Sequence, residues 1–376
     1  MQTSSRHVVH LIAGARPNFM KVAPLFHALK KESWCSPLLV HTGQHYDANM
    51  SDAFFSDLAL PPPDYCLDVG SGTHAEQTAG VMIAYEQICC RDRPDWVVVV
   101  GDVNSTLACA LVATKLCIPL AHLEAGLRSR DRTMPEEINR IVTDAISDVL
   151  WTPSPDGDDN LRAEGIADSR IERVGNIMID AFELQRDRIE RLKFREAFKL
   201  EPQRFGLVTL HRPSNVDDKA VLGPIVRGLV EVSDRLPLIF AVHPRTRRKL
   251  EEFELLNNLE GAAGMCLMEP LGYLEFMSLL CDAMLLITDS GGIQEETTYL
   301  NIPCLTLREA TERPITITQG TNQLIRAGGL RNAVTDILAG NLPKAQCPEF
   351  WDGHTATRVV ASLKSHIETR AWPSQR

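Results

Sequence analysis

The chain has 376 residues, 44% of them hydrophobic and 23% charged, an ordinary globular composition in a length that exceeds one core, so two domains are expected. A formal net charge of −10 and a pI near 5.6 argue against nucleic acid as a partner and leave room only for a local basic pocket that takes a phosphorylated small molecule. The ten cysteines form no CxxC pair and no zinc spacing, which fits buried thiols in a reducing, cytoplasmic setting. No stretch approaches the roughly 20 apolar residues of a membrane span, and the N-terminal apolar run is too short for a signal peptide.

In chain order, His7–Ala13 reads as a buried strand, Gly14 to Pro17 as a turn, and Phe19–Lys31 as a helix with Val22, Leu25 and Leu29 on one face. No GxGxxG accompanies this unit, so no dinucleotide cofactor is expected. Arg16 stands where a phosphate-contacting arginine would stand, and equally where a solvated loop arginine would. Leu38–His41 is a second strand, running into a polar loop whose Gln44, His45 and Asp47 are pocket candidates; the plainer reading of His45 is structural. Thr73–Arg91 is helical. The continuously apolar Val97–Val100 predicts a strand covered on both faces, ended by Gly101-Asp102 and followed by a helix from Asn104 to about Leu116. Asp102 is either an acid at a strand end or a helix N-cap.

Pro119–Leu123 is the next strand. Glu124, at its end before Ala125-Gly126, has no capping role to explain it. Thr133 with Glu136 three residues on forms a capping-box pattern, which competes with a chemical role for Glu136. The helix continues from Ile138 to about Val149. A strand at Val149–Thr152, a short helix at Asp158–Glu164 and an edge strand at Ile171–Val174 follow, which places a domain boundary near residue 175. A long charged helix, Ile179–Lys199, leads into the second half.

The second half repeats the rhythm: strands at Phe205–Leu210, Pro237–Val242, Ala283–Thr288 and Ile302–Leu307, the last of them, and helices at Lys219–Arg235, Tyr273–Cys281 and Ile293–Tyr299. The fold class is therefore α/β, two Rossmann-like domains with parallel sheets, over 1–175 and 176–353. His354–Ala371 forms a terminal helix. Ser290-Gly291-Gly292, between an apolar strand and a helix start, is a candidate anion site, because backbone N–H groups at a helix N-terminus attract phosphate. Glu296, one turn further along the same face, is placed to accept from a ribose diol. The alternative is a helix start capped by Asp289 or Ser290. His211-Arg212-Pro213 and His243-Pro244-Arg245 both follow strands and suggest a diphosphate clamp; metal ligation is less favoured. Acidic candidates fall in the first half and basic ones in the second, with Arg16 and Lys21, as suits a nucleotide held by one domain and a sugar worked on by the other in a cleft between them.

The runs GARPNFMKVAPL, TGQHYDANMSDAFF, GDVNSTLA, AHLEAGLRS, MPEEINR, VGNIMID, LHRPSN, HPRT, ITDSGGIQEE and TERP–TQGTN, in this order over residues 14–322, resemble the non-hydrolysing UDP-N-acetylglucosamine 2-epimerase family. The resemblance implies a glycosyltransferase-B architecture whose last helix, here 354–371, packs back on the first domain. It also implies a cytoplasmic, commonly dimeric isomerase of surface-polysaccharide precursor synthesis that needs no cofactor. The implied reaction is anti elimination of UDP to 2-acetamidoglucal, then re-addition with C2 inverted. Asp102, Glu124 and Glu136 match the catalytic carboxylates and His211 the catalytic histidine. Arg16, Lys21, His243, Ser290, Gly291, Gly292, Glu296 and Arg313 match UDP-binding positions. Gln44-His45-Tyr46-Asp47 and His211-Arg212-Pro213-Ser214 depart from the segments that form an allosteric second site in some members. The same variants occur in relatives acting on diacetamido uronic acid sugars, which stand as an alternative substrate class beside a hydrolysing epimerase that releases N-acetylmannosamine and UDP.

Overall fold

Apolar strands alternating with amphipathic helices satisfy their burial by forming parallel sheets covered on both faces, and the chain does this twice. In the computed structural model, residues 6–43, 55, 57–341 and 345–369 are described. Gln44, His45 and Asp47 lie outside them. The chain divides into one unit of Met1–Leu184 with Glu349–Arg376, and a second of Gln185–Pro348.

The first unit runs β1 (His7–Ala13), α1 (Arg16–Lys30), β2 (Cys35–His41), β3 (Tyr65–Cys66), α2 (His74–Arg91), β4 (Trp96–Val100), α3 (Asn104–Lys115), β5 (Leu120–Leu123), α4 (Pro135–Ile146), β6 (Val149–Thr152), α5 (Pro155–Ala163), β7 (Ile171–Arg173) and the start of α6 (Ile177–Leu192). Its seven strands pair in parallel in the order β3-β2-β1-β4-β5-β6-β7. All five residues of β4 are buried, so each valine side chain removed from water contributes about 1.5–3 kcal/mol. Val97 and Val99 pack with Ile12, Val40 and the α2 and α3 faces that carry Tyr85, Cys89, Ala108 and Val112.

The second unit runs β8 (Gly206–Thr209), α7 (Pro213–Val216), α8 (Lys219–Ser233), β9 (Leu238–Ala241), α9 (Pro244–Glu252), α10 (Leu256–Glu260), β10 (Met265–Met268), α11 (Tyr273–Asp282), β11 (Leu285–Thr288), α12 (Ile293–Tyr299), β12 (Cys304–Thr306), α13 (Ile315–Thr318), β13 (Asn322–Leu324) and α14 (Leu330–Leu338). The order is β10-β9-β8-β11-β12-β13, again parallel. Leu222, Ile225, Val226 and Leu229 of α8 and Leu330 and Val334 of α14 share one core with the sheet residues Val208, Phe240 and Ile287.

The final helix, α15 (Thr355–Thr369), belongs to the first unit. Its first turn is held by Asp180, whose carboxylate accepts from the backbone N–H groups of Thr355 at 3.1 Å and Ala356 at 2.7 Å. Further along, Trp151 donates its indole N–H to Ser362 at 2.8 Å, and His366 meets Glu172 at 2.5 Å.

Several boundaries differ from the sequence reading. α1 begins at Arg16, inside the expected turn, because Pro17 fits the first turn of a helix, where its missing N–H is not needed. The expected single helix 179–199 ends at Leu192, where Lys193 takes a left-handed conformation with φ 44° and a short 3₁₀ turn over Phe194–Phe198 follows. The strand at 304–306 is not the last, since Asn322–Leu324 extends the sheet at its edge. β10, largely half-exposed and rich in methionine, carries too weak a pattern to be read from sequence. None of the ten cysteines forms a disulfide. Among the described residues no helix is long and apolar enough to cross a membrane.

Candidate active site

In open parallel sheets the crevice lies beyond the strand C-termini where the strand order reverses. In the first unit that point is between β1 and β4. The residues leaving these strands and β5 are Gly14, Gly101-Asp102 and Glu124. Asn18 on α1 ties the first two together: its side-chain oxygen accepts from Ala15 N at 3.0 Å and its amide donates to Val100 O at 2.8 Å.

Glu124 sits in the left-handed region at φ 74°, a conformation that costs a non-glycine residue about 1–2 kcal/mol. The strand beside it enforces the turn, as the N–H groups of Glu124 and Ala125 both donate to Trp151 O, at 3.1 and 3.0 Å. The carboxylate is nearly buried and forms an ion pair with Lys21, one α1 turn beyond Asn18. Gly101, at φ 67°, passes beneath this pair. A β-carbon there would lie 3.1 Å from Lys21 Nζ and 3.3 Å from Glu124 Oε2, so the position needs glycine for both backbone and space.

One face of α4 organises the rest. Asn139 donates to Asp102 O at 2.8 Å, and Arg140 is paired with the Asp102 carboxylate. Arg140 also meets Glu137 at 3.0 Å. The buried Glu137 carboxylate receives the N–H groups of Ser129 and Arg130, both at 2.9 Å. Burial opposes its ionisation, yet these donors and Arg140 hold its carboxyl below the usual range. Two turns on, Asp144 is fully buried. It faces His122 at 2.6 Å and Arg128 at 2.8 Å, and accepts from Gly126 N at 3.1 Å. Its desolvation is outweighed by His122 and Arg128, so its carboxyl lies below the usual range.

The capping readings do not hold. α4 starts at Pro135 with Met134 as its N-cap and no side-chain cap bond, because Thr133 spends both its N–H and its hydroxyl on Asp131 Oδ1 at 2.9 and 2.6 Å. Glu136 thus makes no capping box; half-buried in the first turn, it lies on the helix that also holds Asp102. Asp102 is not a cap either, since Val103 takes that place for α3.

In the second unit the order reverses between β8 and β11, and these strands deliver His211 and Asp289. Asp289 does not cap the helix that follows; Gly292 occupies that position. Its buried carboxylate instead gathers the loop after β8. It accepts from His211 N at 3.1 Å, Arg212 N at 2.9 Å and Asn215 Nδ2 at 3.1 Å, and it faces His211 Nδ1 at 3.1 Å. These donors overcome its desolvation and keep it ionised below the usual range. The His211 ring is thereby fixed by its Nδ1 edge, 5.8 Å from the ring of His243. His243 accepts from Arg245 N at 3.2 Å as the N-cap of α9. Burial first, then His211 and Arg245, push its ring below the ordinary histidine range.

Ser290 N donates to Thr288 Oγ1 at 3.0 Å, and Gln294 donates to Ser290 O at 2.9 Å, which fixes the turn that carries Gly291 and Gly292. A β-carbon on Gly291 would lie 2.5 Å from Glu312 Oε1, whereas Gly292 has open space on that side. Arg313 bridges Glu295 and Glu312, both at 2.9 Å, and Arg308 meets Glu312 at 3.0 Å. Glu296 accepts from the Tyr273 hydroxyl at 3.0 Å. Burial, reinforced by the neighbouring Glu295, raises its carboxyl to about 8.

The structure brings Lys21, Asp102, Glu124 and Glu136 onto elements meeting at one sheet edge, and His211, His243, Ser290, Gly291, Gly292, Glu296 and Arg313 onto the corresponding region of the second unit. Of Arg16 it gives the backbone position at the start of α1. Arg140, Asp144 and His122 were not singled out from the sequence, and Asp289 was weighed there only as a helix cap. Arg140 was accessible, because it stands four residues after Glu136 and so on the same helix face.

A family model described as UDP-N-acetylglucosamine 2-epimerase matches residues 27–364. The chain is 46% identical over 365 residues to the UDP-N-acetylglucosamine 2-epimerase of Methanocaldococcus jannaschii, covering 94% of this chain and 98% of that one. It is 40% identical over 359 residues to the UDP-2,3-diacetamido-2,3-dideoxy-D-glucuronate 2-epimerase of Pseudomonas aeruginosa, with 94% and 98% covered. A crystal structure of the M. jannaschii protein in complex with UDP-GlcNAc and UDP superposes with a TM-score of 0.84 at 43% identity, over 95% of this chain and 99% of that one.

Proposed function

The chain belongs to the UDP-N-acetylglucosamine 2-epimerase family, and on that premise we propose that its first unit supplies the acid/base groups of the reaction while its second holds the UDP. It is a non-hydrolysing isomerase that interconverts UDP-N-acetylglucosamine and UDP-N-acetylmannosamine, on two Rossmann-like units of the glycosyltransferase-B class.

The hydrogen at sugar C2 has no neighbouring carbonyl to make it acidic, so direct removal to a carbanion is too costly. Elimination avoids this. A base takes the C2 proton, the C–H electron pair becomes the C1–C2 double bond, and the C1–O bond breaks with its electrons leaving on UDP. Return of a proton to the other face of C2, with UDP oxygen re-adding at C1, gives the epimer. Two proton-transfer groups on opposite faces are required. Asp102, Glu124 and Glu136 together fill these roles. The observation that carries this is the placement of Asp102 and Glu124 at adjacent strand ends, each held by a cation, Arg140 or Lys21, with Glu136 on the helix that holds Asp102.

His211, its Nδ1 edge fixed on an ionised Asp289, presents the rest of its ring to the departing diphosphate. Arg16, Lys21, His243, Ser290, Gly291, Gly292 and Arg313 contact the nucleotide, and Glu296 the ribose. A cytoplasmic homodimer is the expected form, and ten cysteines without a disulfide support a reducing compartment.

The test is ¹H NMR of UDP-N-acetylglucosamine with the protein in deuterated water. Equilibration with the manno epimer and deuterium at C2 is expected. Free N-acetylmannosamine with UDP would instead indicate hydrolysis. The 40% identity to the Pseudomonas enzyme makes the diacetamido uronic acid sugar the second substrate to assay; faster turnover of it would reassign the sugar and leave the chemistry.

A further inference from the structure

His122 is fully buried two residues before Glu124, and the proposed mechanism does not use it. Both of its ring nitrogens face oxygen acceptors. Nδ1 lies 2.6 Å from Asp144 Oδ1, and Nε2 lies 2.8 Å from the backbone oxygen of Gly101. A backbone carbonyl has no hydrogen to give, so Nε2 must donate. Asp144 also faces Arg128 and accepts from Gly126 N, so its carboxylate is the acceptor here and Nδ1 donates as well. A neutral imidazole donates from one nitrogen only. The arrangement is satisfied by the doubly protonated ring. Its charge belongs to a closed set, His122 and Arg128 against Asp144 and Glu164, in which Arg128 reaches Glu164 at 2.6 Å.

We infer that His122 is a positioning residue that donates from both ring nitrogens, clamping the turn that carries Asp102 to the turn that carries Glu124. Gly101 O is the last acceptor before Asp102, and Gly101 N already donates to Leu123 O at 3.1 Å. The amide plane on either side of Gly101 is therefore fixed from β5. On the other side, Asp144 holds Gly126 N and so fixes the exit of the left-handed Glu124 turn. Asp144 sits on α4 with Asn139 and Arg140, which hold the backbone oxygen and carboxylate of Asp102. Remove the second ring donor and the buried Gly101 O loses its partner. The turn is then free to rotate, and Asp102 moves relative to Glu124. This inference rests on the assignment of Asp102 and Glu124 as proton-transfer groups.

The test has two parts. In uniformly ¹⁵N-labelled wild-type protein, long-range ¹H–¹⁵N spectra of the histidine rings at neutral pH should show one ring, lost in His122→Gln and in His122→Asn, with both nitrogens protonated and both N–H protons slow to exchange. A bare ring nitrogen on that residue at neutral pH overturns the proposal. Gln carries a donor near the Nε2 position and Asn one near Nδ1, and each keeps only one of the two bonds. In both variants kcat is expected to fall on the order of 100-fold, the loss attached to a displacement of about 1 Å in a reacting group. UDP affinity, measured by titration calorimetry, is expected to stay at the wild-type value, and so is the shape of the kcat–pH profile. Wild-type kcat in either variant overturns the proposal. Asp102→Asn and Glu124→Gln are assayed beside them. If those two remain active, the site assignment fails; if they are inactive while the His122 variants turn over normally, only the clamp fails.

Discussion

Replacing Lys21 by Met tests the pairing at the heart of the first unit. The Lys21 and Glu124 side chains are 10% and 7% exposed, so the methionine takes the Lys21 cation away from a nearly buried carboxylate. Breaking a buried pair from one side costs about 3–5 kcal/mol. The carboxyl has an escape, because it can take up a proton; for a glutamate of ordinary acidity this costs about 3.7 kcal/mol at pH 7, at 1.36 kcal/mol per pH unit. That ceiling narrows the expected loss to about 3–4 kcal/mol, or roughly 10 °C in Tm for a unit of about 200 residues. The assay is selective by composition. Trp34, Trp96, Trp151 and Trp351 lie in the first unit and the second contains no tryptophan, so tryptophan fluorescence during urea unfolding reports the first unit alone. Glu124→Gln is measured alongside, together with the double variant. If the two groups are coupled, the double variant should recover about 2–3 kcal/mol of the summed single losses. Simple additivity, or a Lys21→Met protein as stable as wild type, would refute the reasoning.

Three further outcomes are expected. Gly101→Ala should cost about 1–2 kcal/mol from its left-handed backbone and lower kcat more than stability, because the new methyl meets the Lys21–Glu124 pair; melting temperature and turnover measured together check this. Glu296, with its carboxyl raised to about 8, keeps a proton in the folded chain that the unfolded chain releases near 4.5. Stability from this group is therefore complete below about pH 4.5 and is lost as pH rises towards 8, by at most about 1.4 kcal/mol per pH unit. Glu296→Gln should accordingly melt higher than wild type at pH 8, with the difference closing by pH 5, while UDP affinity drops; thermal melts by circular dichroism across that range decide it. Asp289→Asn should reduce kcat by loosening His211, with a stability loss of about 1–3 kcal/mol for the disturbed buried donors, read by chemical denaturation and steady-state kinetics.

The sheet architecture was largely legible because β4 is an uninterrupted apolar run and β1, β5, β6 and β11 are predominantly apolar, and a run covered on both faces admits little else. The acidic positions at strand ends could be read for the same reason, since the end of a strand fixes where the next side chain emerges. Helix starts were less secure. Thr133 followed by Glu136 is a good capping signal, but Asp131, two residues before Thr133, took the hydroxyl and moved the cap to Met134. Lys21 lies 103 residues from Glu124, and Arg140 lies 38 from Asp102. Pairings of that span depend on how strands order themselves in the sheet, which no local pattern records. A local cap was the only role weighed for Asp289, as the alternative to an anion site, because it precedes a glycine-rich helix start. Its true partners, His211, Arg212 and Asn215, come from a strand placed beside it only by the parallel pairing of β8 and β11.

The return of α15 to the first unit has a consequence for how the protein is made. A ribosome releases the chain in order, so Asp180, Trp151 and Glu172 emerge long before their partners Ala356, Ser362 and His366. The second unit is synthesised whole within that interval and can fold on emergence. The first must wait, its α15 surface uncovered, until residues 355–369 have emerged. A chain stalled or clipped before residue 355 would therefore carry a completed second unit attached to an unfinished first one. Limited proteolysis of ribosome-bound chains of increasing length should show protection spreading over Gln185–Pro348 before Met1–Leu184, the reverse of their order in the gene.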